Sequence, residues 1–148
     1  MEARVKEVKL KKAVIFVDGA SRGNPGPAAI GFVVKDSHGK VLVKLGKFIG
    51  RATNNVAEYQ AVIEALKWIK ANIQYSIFNI QFFLDSKLVV NQLNGRYKIK
   101  NIKLKGLIIK IKELEKKIKT QIFYYFIPRS KNHHADFLVN QVLDEKNF

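Results

Sequence analysis

Two short apolar runs in this chain each deliver an aspartate at their end, and that restricts the folds open to it. Ala13–Asp18 and Ile77–Leu84, with Asp85 directly after the second, are β-branched and aromatic and read as buried strands. If the two strands lie side by side, Asp18 and Asp85 share one end of a sheet. Two more acids, Glu58 in TNNVAEYQAV and Asp136 in PRSKNHHAD, each open a helix-like pattern. Carboxylates on the rims of buried elements are costly unless something cationic neutralises them. Divalent cations would do so.

The remaining elements follow from periodicity. Ser21–Pro27 is a turn, punctuated by Gly23, Asn24, Pro25, Gly26 and Pro27. Ile30–Lys35 and Val41–Ile49 form a hairpin across Ser37-His38-Gly39. From Thr53 the period becomes helical, with Tyr59, Val62, Ile63, Leu66 and Ile69 on one face and Thr53 or Asn54 as the cap. Ser86–Leu93 is a short helix stopped by Asn94-Gly95. Leu104, Leu107, Ile108, Ile111, Leu114 and Ile118 mark a long amphipathic helix. Ile122–Ile127 is a fifth strand ended by Pro128, and His133–Leu143 a last helix. The order βββαβααβα implies an α/β fold. Three antiparallel strands and two parallel ones make a mixed five-stranded sheet flanked by helices. Trp68 and the aromatic run Phe123–Phe126 are expected to pack in the core rather than to stack on bases.

At 148 residues and 47% hydrophobic, the chain suits one domain over 13–148, preceded by a charged leader, Met1–Lys12, expected to be partly disordered. Its 27 Lys+Arg against 12 Asp+Glu give a formal charge of +15. Such a charge fits a polyanionic partner held through its phosphates, or else a lysine-rich surface set by genome or habitat. The absence of cysteine excludes disulfides and thiolate metal sites. No apolar stretch nears the ~18 residues of a membrane span, and no signal peptide is visible. The expectation is a cytoplasmic monomer with no membrane contact and no obligate protein partner.

DGASRGNPGPAAIGFVV, RATNNVAEYQAVIEAL, DSKLVVNQLNGRYKIKN and IPRSKNHHAD occur in order, each carrying one of the four acids, within a stretch that runs from about Val14 to Leu143. In these segments the chain resembles type 1 ribonuclease H, whose members hydrolyse the RNA strand of RNA–DNA hybrids and leave 5′-phosphate and 3′-hydroxyl ends. The resemblance implies two Mg²⁺ ions, with Mn²⁺ as a substitute. Asp18 matches the aspartate that bridges both ions, Glu58 and Asp85 the ligands on the leaving-group side, and Asp136 the ligand of the ion that holds the attacking water. Mg²⁺ takes hard oxygen ligands, and two ions about 3.5–4 Å apart stabilise both the attacking and the leaving oxygen.

The same resemblance implies a substrate surface. Asn24, Asn54 and Asn55 match positions in the minor groove near ribose 2′-hydroxyls, which an amide can both donate to and accept from. Arg51, Thr53 and Asn101 match a pocket for a phosphate of the DNA strand. The plain alternatives are that Thr53, Asn54 and Asn24 merely cap a helix or shape a turn.

Three departures stand out. GRYKIK at Gly95–Lys100 replaces most of a basic protrusion that many members carry, although Ser86–Thr120 holds eleven basic residues. Lys87 stands where a base-contacting glutamine is usual, and would reach phosphate or solvent. Phe126 occupies the place of an auxiliary histidine, which leaves Arg129, as in compact members, the preferred auxiliary residue over His133 and His134. A non-catalytic binding domain of the same fold and the nuclease domain of a retroelement polyprotein are the competing expectations. The four intact acids weigh against the first.

Overall fold

The computed structural model describes residues 12–72 and 79–148. Strands β1 (Lys12–Ser21), β2 (Gly26–Lys35) and β3 (Val41–Ala52) come first, followed by helix α1 (Asn54–Asn72) and strand β4 (Asn79–Leu84). Then come α2 (Lys87–Leu93), α3 (Ile102–Ile118), β5 (Gln121–Phe126), a 3₁₀ turn at Arg129–Lys131 and α4 (His133–Glu145). The five strands lie in the order β3-β2-β1-β4-β5. β1 and β2, and β2 and β3, pair antiparallel, while β4 runs parallel to both β1 and β5. The expected mixed sheet is what the chain forms.

Several boundaries move. β1 continues three residues past Asp18 because Gly19–Ser21 pairs with Ala28–Ile30, and β2 begins at Gly26 because Gly26 and Pro27 pair with Ala52 and Arg51 of β3. Lys12, assigned to the leader, is the first residue of β1. The rest of that leader, and Ile77 and Phe78 at the start of the expected fourth strand, lie outside the described residues.

The sheet buries its two faces differently. On one face, Ala13, Ile15 and Val17 of β1 and Ile80, Phe82 and Leu84 of β4 join α1 and α3 in the main core. α1 supplies Tyr59, Val62, Ile63, Leu66 and Ile69 to it, as its spacing predicts. A fully buried Phe or Leu of this kind stabilises the fold by about 1.5–3 kcal/mol. Trp68 packs against the edge of this core. Thr53 Oγ1 accepts the Val56 N–H at 3.2 Å, and the Ser86 and Asn101 side chains accept N–H groups at the starts of α2 and α3. These bonds satisfy amides that the helix cannot.

α4 covers the other face, but only across β2, β3 and part of β1. Phe123–Phe126 therefore departs from expectation. Tyr124 is buried, whereas Phe123, Tyr125 and Phe126 are 36%, 42% and 40% exposed. β5 is an edge strand: Phe123 and Tyr125 alternate onto the face that α4 does not reach, while Phe126 ends the strand on the core side beside Lys87. No described helix is long and apolar enough to cross a membrane.

Gly31 sets how closely α4 approaches. A Cβ there would lie 2.8 Å from the Ala135 carbonyl oxygen and 2.9 Å from Leu138 Cβ. Gly31→Ala should push α4 outward and cost about 1–3 kcal/mol, as overpacked cores do. Urea denaturation checks this, and an unchanged midpoint would show that α4 seats elsewhere.

Candidate active site

Strand register builds the site. Phe16 pairs with Phe83 in the parallel β1–β4 ladder, so Asp18 and Asp85, each two residues further on, leave the same end and face of the sheet. Glu58 reaches them from the second turn of α1. That helix lies so close to β1 that a Cβ on Gly19 would sit 2.2 Å from the Ala57 carbonyl oxygen. The bare Gly19 amide instead donates to Glu58 Oε1 at 3.0 Å. One carboxylate oxygen from each of Asp18, Glu58 and Asp85 falls within 4.8 Å of the others.

Asp136 stands outside that triangle, half-buried in the first turn of α4, yet its charge still acts on Asp18. Arg129 lies in the exposed 3₁₀ turn, and its positive charge also reaches Asp18. The structure thus gathers three of the four acids tightly and places the fourth on the rim.

The cluster is electrostatically strained. Burial, then the charges of Asp85 and Asp136, push the Asp18 carboxyl up to about 6. Burial, followed by the neighbouring Asp18 charge, raises Glu58 well above the ordinary glutamate value. Glu58 Oε2 is buried and faces no hydrogen-bond donor among the described residues. Three hard oxygen donors, crowded like charges and an orphaned acceptor together fit a hard divalent cation.

Two positioning residues escaped the sequence reading. Asn132 is 1% exposed; its Nδ2 donates to Asp85 Oδ2 at 3.0 Å and to the Val17 carbonyl at 2.8 Å. It ties the last helix to both strands. Nothing in the sequence marks it, since it is one polar residue among others before α4. Gly19 could have been suspected from Asp-Gly after an apolar run, but only the packing of α1 shows the need for it.

The residues expected to meet substrate are spread around this centre. Asn24 Oδ1 accepts the Asn54 N–H at 2.9 Å, and Asn54 Oδ1 accepts the Ser21 N–H at 2.9 Å. This pair ties the β1–β2 turn to α1 and leaves both Nδ2 groups without a partner among the described residues. Asn55 is half-buried beside them. Arg51 lines a groove of about 310 Å³ with Lys47 and Lys103. Thr53 and Asn101 do not line it, and both spend their side-chain oxygens on helix starts. Lys87 Nζ lies 5.2 Å over the Phe126 ring. His133 and His134 are exposed and pack edge-to-face at 4.8 Å.

Residues 16–142 match the family described as "Reverse transcriptase-like". The chain is 42% identical over 134 residues to a bifunctional protein of Mycobacterium tuberculosis, covering 90% of this chain and 36% of that protein. The RNase H1 of the archaeon Halobacterium salinarum superposes with a TM-score of 0.84 at 37% identity, covering 90% of this chain and 98% of that crystallised chain. LC11-RNase H1, isolated from compost and solved in complex with an RNA/DNA hybrid, superposes at 0.87 with 38% identity, covering 92% and 99%.

The chain belongs to the ribonuclease H family.

Ribonuclease H relatives differ in length around this domain. The chain spans about a third of the mycobacterial protein, and 63% of the curated Halobacterium salinarum ribonuclease HI.

The raised Asp18 value has a consequence for stability. Ionising Asp18 costs more in the folded state than in the unfolded one. The penalty is absent below the ordinary value of 3.8, grows as pH rises, and is complete above about 6. In metal-free buffer at pH 7, Asp18→Asn should therefore raise Tm by about 5 °C, and the gain should fade as pH drops from 6 towards 4. Mg²⁺ should raise the Tm of the native protein and not that of the variant. Thermal melts across pH with and without Mg²⁺ check this; a variant less stable at pH 7 in EDTA would remove the repulsive cluster.

Proposed function

We propose that the chain hydrolyses the RNA strand of RNA–DNA hybrids with two divalent cations, leaving 5′-phosphate and 3′-hydroxyl ends. The observation that carries this is the convergence of Asp18, Glu58 and Asp85 within 4.8 Å, with Asp136 on the rim. Family membership and the hybrid-bound LC11 relative support the substrate class. Asp18, Glu58 and Asp85 would hold one cation, and Asp18 with Asp136 would hold the second. When bound, Mg²⁺, or Mn²⁺ in its place, would polarise the scissile phosphate and acidify the attacking water.

The protein's own groups do the rest. Asn132 holds the Asp85 carboxylate through Oδ2, and the Gly19 amide holds Glu58, so neither acid must reorganise when a cation arrives. The Nδ2 groups of Asn24 and Asn54, with Asn55, face the ribose 2′-hydroxyls of the RNA strand. Arg51, Thr53 and Asn101 take a phosphate of the DNA strand, helped by the N-terminal dipole of α1. Lys87 adds a phosphate contact. Arg129, whose charge already reaches Asp18, draws the scissile-side phosphate in and assists product release.

The decisive test is cleavage of a labelled hybrid beside RNA–RNA and DNA–DNA duplexes, with and without Mg²⁺. Hybrid-only, metal-dependent cutting is expected, and Asp18→Asn should abolish it while hybrid binding persists. Binding without cutting by the native protein would make this a non-catalytic domain.

A second series separates the auxiliary residues. Arg129→Ala should lower the steady-state rate by about ten- to a hundredfold with little change in metal affinity. His133→Ala and His134→Ala should each cost less. Rates at fixed Mg²⁺ and pH check the order, and a histidine variant more damaged than Arg129→Ala would transfer the role.

A further inference from the structure

The sheet face that carries Asp18 and Asp85 also carries a row of aromatic rings. Phe16, Phe83 and Tyr125 pair in register across β1, β4 and β5. Their ring centroids follow at 5.4 and 5.5 Å, and Phe123 extends the row 6.3 Å from Tyr125. Phe16 and Phe83 lie two residues before Asp18 and Asp85, which is one pleat repeat, ~7 Å, from the acids. α4 stops short of β4 and β5, so the row is open at its far end, where Phe123 and Tyr125 are 36% and 42% exposed.

Cations rim this row. Lys35 Nζ sits 5.1 Å from the Phe16 ring centroid. Lys131, His133 and His134 line a cleft of about 80 Å³ with Phe16 and Lys35. Among the described residues, neither Lys35 nor Lys131 has a carboxylate partner, although carboxylates pair with Arg22, Lys47, Lys67 and Lys112 elsewhere.

We propose that this aromatic, cation-rimmed face binds a single-stranded extension of nucleic acid that runs on from the acid cluster. The inner rings stack on one another, so the exposed outer rings, Phe123 and Tyr125, take unstacked bases without sequence preference, and the lysines at the other end of the row hold the phosphates. A duplex keeps its bases stacked inside and cannot use such a platform. A second copy of the chain would set Lys35 and Lys131 against themselves on molecules that each carry +15. The inference rests on the hybrid-nuclease reading only for the direction from which the strand arrives.

The test uses fluorescence anisotropy in EDTA. The ligands are a blunt hybrid, the same hybrid with a ten-nucleotide RNA or DNA tail, and the free single strand. For the native protein, either tail should tighten binding about tenfold. Phe123→Ser combined with Tyr125→Ser should remove that gain and weaken binding of the free strand, with blunt-hybrid affinity unchanged. Lys35→Gln with Lys131→Gln should flatten the salt slope for the tailed hybrid by about one to two, and serves if the double-serine variant melts early. Equal binding of blunt and tailed hybrids by the native protein would overturn the proposal, as would parallel losses on both in the variants. Sedimentation showing a dimer that the serine changes dissolve would assign the face to a second copy and overturn it too. If the native protein cut no hybrid, yet the serine changes still weakened free-strand binding, the hybrid-nuclease reading would fall and this one would stand.

Discussion

The parallel pairing of β1 with β4 is the constraint on which the rest depends. It aligns Phe16 with Phe83, and so carries Asp18 and Asp85 to one end of the sheet on one face. A slip of one residue in either strand would turn its aspartate towards the main core, because side chains alternate. The slip is opposed by Ile15, Val17, Phe82 and Leu84, all fully buried on the core face. Packing on one face thus holds the chemistry on the other.

The α1 helix adds the third acid through close approach rather than through reach. Gly19 lets the start of α1 lie against β1, and its amide then meets Glu58. The result is a set of carboxylates that repel in the absence of cations, with Asp18 raised to about 6 and Glu58 higher than an ordinary glutamate. The crowding costs stability at this point, and a cation that bound only the folded state would offset that cost. The surrounding surface has the opposite sign. With 27 basic against 12 acidic residues, the molecule is suited to a polyanionic partner.

α4 sets the limits of both the site and the open face. Its docking over Gly31 brings in Asp136, while Asn132 at its start anchors Asp85 and the Val17 carbonyl. The same helix covers β2 and β3 and leaves the outer side of β5 bare. The aromatic row beside the acids is therefore a consequence of where one helix ends its coverage.

The sequence by itself determined the elements and the chemical types. Apolar runs ending in aspartate, the change of period at Thr53 and the four acid-centred segments identified the strands, the helices and the acid set, because these depend on local pattern. Only the tertiary structure decided what depends on distance. It drew Gly19–Ser21 into the ladder, gathered three acids and left Asp136 on the rim, and gave Asn132 its place between two strands. It also exposed Phe123 and Tyr125, which their strand pattern alone would bury. Alternation within a strand tells which side chains share a face; whether another element covers that face is a property of the whole fold.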